Sequence, residues 1–184
     1  MIVSIDGDTA LRLLRLVGTR LVRLVGRRYP NPISYDSIEL VTEGGTVLKI
    51  ELRMEDVSEK LEVSCITARE VASVSTSGQC DDLWLADFRV DHILVLRRAE
   101  WLGAEESRGA SVGTAPQQQH FGNPSDAPAW LPHALVDAGL LLVDDRGAQL
   151  VLLADAFPMV MQLRYSLSSS EIPRGDARPL EEPG

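Results

Sequence analysis

The histidine side chains are the first groups in this sequence that could do chemistry, because His is the commonest metal ligand and general base. There are three of them, His92, His120 and His133. On a strand, Asp87 and Asp91 would point to the face opposite His92, so they form a poor ligand set with it. The other two histidines lie far away along the chain. The sequence therefore predicts no metal site.

Nucleophiles and phosphate-binding loops give the same result. No serine lies in a nucleophile-elbow context or in a Ser-x-x-Lys spacing. The segments "EGGT" and "GDTA" lack the strand, helix and lysine that a phosphate-binding loop requires. The adjacent carboxylates at 81–82, 105–106 and 144–145 fall in predicted turns or loops, where such residues hydrogen-bond locally. We predict a non-enzymatic protein with no catalytic residues and no cofactor; an enzyme with a dispersed active site is a further alternative.

Composition points to an ordinary globular chain. Of its 184 residues, 45% are hydrophobic and 24% are charged, and the two cysteines match no zinc motif. There is no apolar run of eighteen residues, and Asp6 and Asp8 stand where a signal peptide needs positive charge. These features predict a cytosolic protein without a membrane segment.

The charge is distributed unevenly. Residues 1–28 carry a net charge of +4 and the remaining residues carry −13, which together give −9. An acidic body repels nucleic acid and anionic lipid and favours basic partners, although acidity also serves solubility alone.

The elements that must position any site are predicted to form an α+β fold. An amphipathic helix is expected within 1–30, from about Thr9 to Arg27, packing Leu14, Val17, Leu21 and Val25 on a largely antiparallel sheet. A first β-meander half covers 33–102, a flexible loop or linker 103–129, a second meander half 130–168, and a disordered tail 169–184, all within a single domain overall.

Two segments of the sheet resemble each other. At an offset of 102, Leu40 aligns with Leu142 and Gly45 with Gly147, which predicts two hairpins with equivalent turns. The first hairpin alternates apolar and charged residues, so one face is expected to be wet. The second is apolar at consecutive positions, so both of its faces should be buried, under a helix or a partner subunit. Duplication of one β-meander is the simplest account, and chance similarity of two hairpins is the alternative.

Tryptophans among acidic residues suggest an interface. Trp84 and Trp101 lie within residues 81–101, which also contain four aspartates, an arrangement that suits a basic protein partner. In the alternative interpretation, Trp84 packs in the core beside Phe88. The candidate partner-binding residues are Glu39, Glu43, Glu51, Glu55, Asp81, Asp82, Trp84, Asp87, Asp91 and Trp101.

The stretches "VDAGLLLVDDRGAQLVLLADAFPMVMQL" and "VDHILVLRRAEWL" resemble bacterial proteins encoded beside secreted polymorphic toxins. This resemblance to toxin-immunity proteins implies a cytosolic inhibitor that binds and neutralises one cognate toxin domain, and it assigns no contact residue. The alternative is an acidic adaptor or secretion chaperone that forms a homodimer through its basic helix and apolar second hairpin.

Overall fold

The computed structural model describes residues 2–28, 34–58, 61–76, 78–101, 133–155, 160–166 and 176–182. One short helix and ten strands lie within these ranges. They are β1 (Ile2–Val3), α1 (Gly7–Leu14), β2 (Arg20–Arg28), β3 (Tyr35–Thr42), β4 (Val47–Ser58), β5 (Leu61–Val71), β6 (Cys80–Trp101), β7 (His133–Asp144), β8 (Gln149–Asp155), β9 (Val160–Ser166) and β10 (Asp176–Pro179). The fold is therefore dominated by β-sheet.

The strands form one sheet, and every pairing between described strands is antiparallel except that of β1 with β7. Its hydrogen-bonded neighbours run β7-β8-β9-β3-β2-β6 and return from β6 to β7, while β4 pairs with β3 and β5. Strand β6 is 22 residues long and joins the two halves. Its first half pairs with β2 and its second half, from Val90, pairs with β7. Asp87, the one described non-glycine residue with positive φ (63°), lies beside this change of partner.

The predicted helix from Thr9 to Arg27 is wrong, because α1 ends at Leu14 and Arg20–Arg28 is a strand. Gly18 has φ of 81° and separates the two elements. Asp6 caps the helix, since its carboxylate accepts the Thr9 N–H at 2.7 Å.

A β-bulge explains why the strand has helical spacing. The register of β2 shifts between Leu21 and Arg23, so Val22 is an extra residue and Leu21 and Leu24 both reach the core. Residues three apart on one face are also the signature of an amphipathic helix. Of the residues expected on the helix face, Leu21 and Val25 are buried as strand residues and Val17 is exposed.

The two predicted hairpins are β3–β4 and β7–β8, and they share one register. Leu40 pairs with Leu48 as Leu142 pairs with Leu150. Gly45 and Gly147 both have φ of 85°. The prediction that these glycines occupy equivalent turn positions is confirmed.

The equivalence continues into the preceding strands. In β6 the register shifts between Val90 and His92, opposite the start of the β7–β8 turn. In β2 it shifts between Leu21 and Arg23, opposite the start of the β3–β4 turn. Gly18 and Asp87, both with positive φ, stand three residues before the matching positions Leu21 and Val90. Two four-stranded units, β2 to β5 and the second half of β6 to β9, therefore have the same plan.

The units share one core. It contains apolar residues from both, among them Leu21, Leu24, Ile38, Leu40, Leu48, Ile50, Val90, Ile93, Leu140, Leu142, Leu150 and Leu152. The second hairpin is buried on both faces, as predicted, because Leu141, Val151 and Leu153 belong to another buried cluster on its opposite side.

The prediction of a disordered tail over 169–184 is wrong where the tail is described. Residues 176–179 form β10, which pairs with β6. Arg178 reaches the buried carboxylate of Asp137 at 2.6 Å, and Leu180 donates its N–H to the Ile93 carbonyl. These contacts supply the order that composition does not indicate. The predicted loop 103–129 lies outside the described residues.

Candidate protein-binding surface

The carboxylate of Glu39 is buried, so its predicted place on a wet acidic face is wrong. Only 3% of the residue is exposed, and Ser75, from the segment that follows β5, donates its N–H to Glu39 Oε2 at 2.8 Å. Alternation correctly places Glu39 opposite the core residues, but it carries no information about a later segment that covers that face.

The other candidate acids with described side chains are paired with basic side chains of the same chain. The pairs are Glu43 with Arg20, Glu51 with Lys49 and Arg69, Glu55 with Arg53, Asp81 with Arg28, Asp82 with Arg23, Asp87 with Arg20 and Arg146, and Asp91 with His92 if that ring is protonated. The first meander thus carries paired acidic and basic side chains on its surface instead of the single acidic face that alternation predicts.

Two of these pairs lie side by side on β6 and β2. Arg23 holds Asp82 through two hydrogen bonds of 2.7 and 2.6 Å, and Arg28 donates to Asp81 at 2.6 Å. The hydrogen bond from Arg28 lowers the pKa of Asp81, and that from Arg23 lowers the pKa of Asp82. Both carboxylates stay ionised, and their arginines are fixed in direction.

Trp84 lies between these charges and is 69% exposed. The guanidinium carbon of Arg23 lies 5.2 Å from the centroid of its ring, within the range of a cation–π contact. The alternative in which Trp84 packs in the core with Phe88 is wrong. Phe88 is fully buried and lies against Tyr165 instead, with 6.2 Å between the ring centroids. The neighbouring Leu83 is also exposed.

We call residues Cys80–Ala86 the β6 edge. Within the described residues, this part of β6 pairs with β2 alone. The edge combines an exposed aromatic ring and an exposed aliphatic side chain with ionised carboxylates, so it is the candidate surface: aromatic residues are enriched in interface cores and polar groups lie at their rims. Sequence patterns do not reveal the part played by Arg23, because its segment has the spacing of a helix. The one signal for an exposed patch is the consecutive apolar run "LWL" between the acidic residues Asp82 and Asp87.

Other surface features carry less chemistry. A depression of about 700 Å³ is lined by residues from both units, including Arg20, Arg89, Glu43, Asp87 and Asp145. Its charges of both signs partly cancel, so it selects neither anions nor cations. In the described residues, no group of three His, Cys, Asp or Glu side chains is placed to hold a metal ion. Nor does any helix in the described ranges have the length and apolar character needed to cross a membrane.

Trp101 is the last residue of β6, and its side chain lies outside what the structure describes. Comparison of the chain with protein-family models, with curated proteins and with solved structures found no significant match.

Proposed function

We propose that this chain is a non-enzymatic binding protein of the immunity type, which neutralises a cognate bacterial toxin domain by direct contact. The observation that carries the proposal is the exposure of Trp84 on a folded strand. Exposing an indole to this extent forgoes its burial energy, of the order of 2–3 kcal/mol for a large apolar side chain. A binding partner that covers the ring recovers that energy.

The surroundings of Trp84 support the same function. Tryptophan and arginine are the residues that most often dominate binding energy at protein interfaces, and here Arg23 lies over the Trp84 ring. Because Arg23 is also held by Asp82, little side-chain freedom remains to be lost when a partner binds. The patch is therefore preorganised for a protein surface.

The alternative of a dimeric adaptor or secretion chaperone requires a basic helix and an apolar second hairpin as exposed dimer surfaces, and the fold disfavours both. Its basic helix face is divided between a short helix and a strand whose arginines pair internally. Its apolar second hairpin is buried on both faces within one chain.

Trp84→Ala tests the proposal. The partner is first captured from the native cell with the wild-type chain and identified, and its affinity for the variants is then measured by calorimetry. Trp84→Ala should weaken binding by about 2 kcal/mol or more, roughly thirtyfold. The matched control is Leu11→Ala, which shortens another exposed apolar side chain, on α1, and should leave the affinity unchanged.

A charge variant separates affinity from association rate. Asp82→Lys with Asp87→Lys should slow association most at low salt, because exposed charges steer encounter over a Debye length of about 8 Å at physiological salt. Glu39 is unsuitable for this purpose, since a buried lysine there would destabilise the fold. If the partner binds Trp84→Ala as tightly as wild type while both proteins remain folded, the patch is not the binding site. If the captured protein is not a toxin, the immunity role is excluded.

A further inference from the structure

We propose that the partner binds by adding a β-strand to the β6 edge, and that this strand alternates basic and apolar residues. The proposal rests on the proposed binding function and specifies how the same site is used. Three observations support it: the outward direction of backbone groups on the β6 edge, the covering of the opposite edge by α1, and the position of the charges.

The backbone of the β6 edge has hydrogen-bonding groups that face away from β2. Arg28 donates its N–H to the carbonyl of Gln79 at 2.9 Å, so the backbone of Gln79 faces β2. In an antiparallel pair, successive residues face alternately toward and away from the partner strand. The N–H and C=O groups of Asp81 and Leu83 therefore face β2, and those of Asp82 and Trp84 face outward. The exposed side chains of Asp82, Leu83, Trp84 and Ala86 leave this side open to an incoming strand.

The opposite edge of the same unit is covered. Strand β5 has helix α1 beside it, where Thr9 Oγ1 accepts the Ala68 N–H and Arg12 donates to the Ala68 carbonyl, both at 3.3 Å. Sheet edges attract further strands unless they are covered, charged or twisted away. One edge of this unit is thus covered, while Asp82 and Trp84 on the β6 edge direct their backbone groups outward beside an exposed apolar patch.

The charges indicate what kind of strand fits. Asp81, Asp82 and Asp87 lie on β6, and the segment from Cys80 to Phe88 contains no basic residue. Arg28 and Arg23, which hold Asp81 and Asp82, both come from β2 and so approach from the side away from the edge. Arg146, from the turn after β7, pairs with Asp87 and donates to the Ala86 carbonyl at 3.5 Å, so a basic side chain already covers that end of the edge. The outer side is therefore left acidic at Asp81 and Asp82. Directly opposed like charges destabilise strand pairs and opposite charges stabilise them, which favours basic residues on the incoming strand.

The side-chain spacing adds an apolar requirement. Side chains of Asp82, Trp84 and Ala86 share one face because they are two residues apart. An incoming strand that alternates basic and apolar residues carries all its basic residues on one face, so a basic residue near Asp82 is followed on that face by a basic residue near the Trp84 ring, where a cation–π contact is favourable. Its apolar residues then lie on the other face, toward the exposed side chain of Leu83. Strand addition of this kind uses main-chain hydrogen bonds for affinity and alternate side chains for specificity.

A synthetic heptapeptide of alternating arginine and valine is the probe. Its binding to the full chain is followed by amide hydrogen exchange in NMR spectra, residue by residue. Strand addition should slow exchange about tenfold or more at Asp82 and Trp84, and leave Asp81 and Leu83, already bonded to β2, unchanged. Binding without slowed exchange at Asp82 and Trp84, or no binding at millimolar peptide, overturns the proposal.

Two control peptides make the result specific. A peptide N-methylated at alternate residues has the same charge but lacks strand hydrogen bonds, and one of alternating glutamate and valine reverses the charge. Both should bind at least about tenfold more weakly than the probe; equal binding by either contradicts strand addition by a basic segment. The proposed function fails separately. If Trp84→Ala abolishes capture of a toxin but the edge amides gain no protection in that complex, the binding function stands and strand addition is wrong. If the probe slows exchange at Asp82 and Trp84 while Trp84→Ala leaves the toxin affinity unchanged, the edge accepts a strand but the proposed toxin-binding site is wrong.

Discussion

Replacement of Asp137 by asparagine should strongly destabilise the fold. Its carboxylate is fully buried on β7 and accepts three hydrogen bonds. Arg97 Nε donates at 2.8 Å from β6, Arg178 Nη2 at 2.6 Å from β10, and the Ile5 N–H at 3.1 Å from the segment after β1. One acid thus joins the two ends of the chain to the middle of the sheet.

The size of the effect follows from what remains after the substitution. An asparagine keeps one acceptor oxygen but leaves two guanidinium groups without their counter-charge among the described residues. Removing one partner of a buried ion pair costs about 3–5 kcal/mol. The side chains of Arg97 and Arg178 are 13% and 33% exposed, so water relieves part of that cost, and we expect about 3 kcal/mol. For a protein of this size, that corresponds to a fall in Tm of about 6–12 °C.

Urea denaturation followed by circular dichroism measures the free energy of unfolding of Asp137→Asn. The matched control is Asp145→Asn, an exposed turn acid on the same hairpin, which should change stability by less than about 0.5 kcal/mol. A double-mutant cycle with Arg178→Met isolates the contribution of the ion pair to β10. A loss below about 1 kcal/mol for Asp137→Asn would refute the reasoning, since the carboxylate would then not be compensating the charges of Arg97 and Arg178.

Two further predictions concern acid and the hairpin turns. Hydrogen bonds from Arg28 and Arg23 hold the pKa values of Asp81 and Asp82 below 3.8, so these acids contribute stability above the unfolded pKa that is lost as pH falls through the lower folded values. The urea concentration at the unfolding midpoint should therefore decrease when the pH is lowered below about 4. The double variant Asp81→Asn with Asp82→Asn should show a smaller decrease, and an equal decrease would contradict the role given to these two carboxylates. Gly45→Ala and Gly147→Ala should each cost about 1–2 kcal/mol through positive φ alone, because no atom lies within 4 Å of either added Cβ. Gly26→Ala should cost more, because its Cβ would overlap the Tyr35 ring. Equal losses at all three sites in urea titrations would contradict this distinction between positive φ and crowding.

Local patterns predict the hairpins well. The alternation around Leu40 and Leu48 and the acidic-glycine turns are determined by neighbouring residues, so they are readable in the sequence and are present in the structure. The helix prediction extends too far, because a bulge at Val22 reproduces helical spacing over a short stretch. The signal against a long helix is Gly18, which interrupts the pattern and takes positive φ.

The candidate surface depends on contacts between distant segments, which a single sequence does not reveal. Glu39 alternates as an exposed residue does, and only the approach of Ser75 buries it. Trp84 and Phe88 lie four residues apart in one strand, yet one is exposed and the other buried. The pairing of β6 acids with β2 arginines could not be predicted either, because it requires knowing that those arginines lie on a strand.

The 22-residue strand β6 has a consequence for how the molecule comes apart. Since its first half pairs with β2 of one unit and its second half is the first strand of the other, the two units are joined by a continuous strand without a linker. Neither unit can open without removing a paired strand from its neighbour and exposing the shared core. Partial unfolding of one half would thus expose apolar residues of the other, and the described strands should behave as one cooperative unit in hydrogen exchange and in denaturation. A chain built from two similar units should then unfold in a single transition.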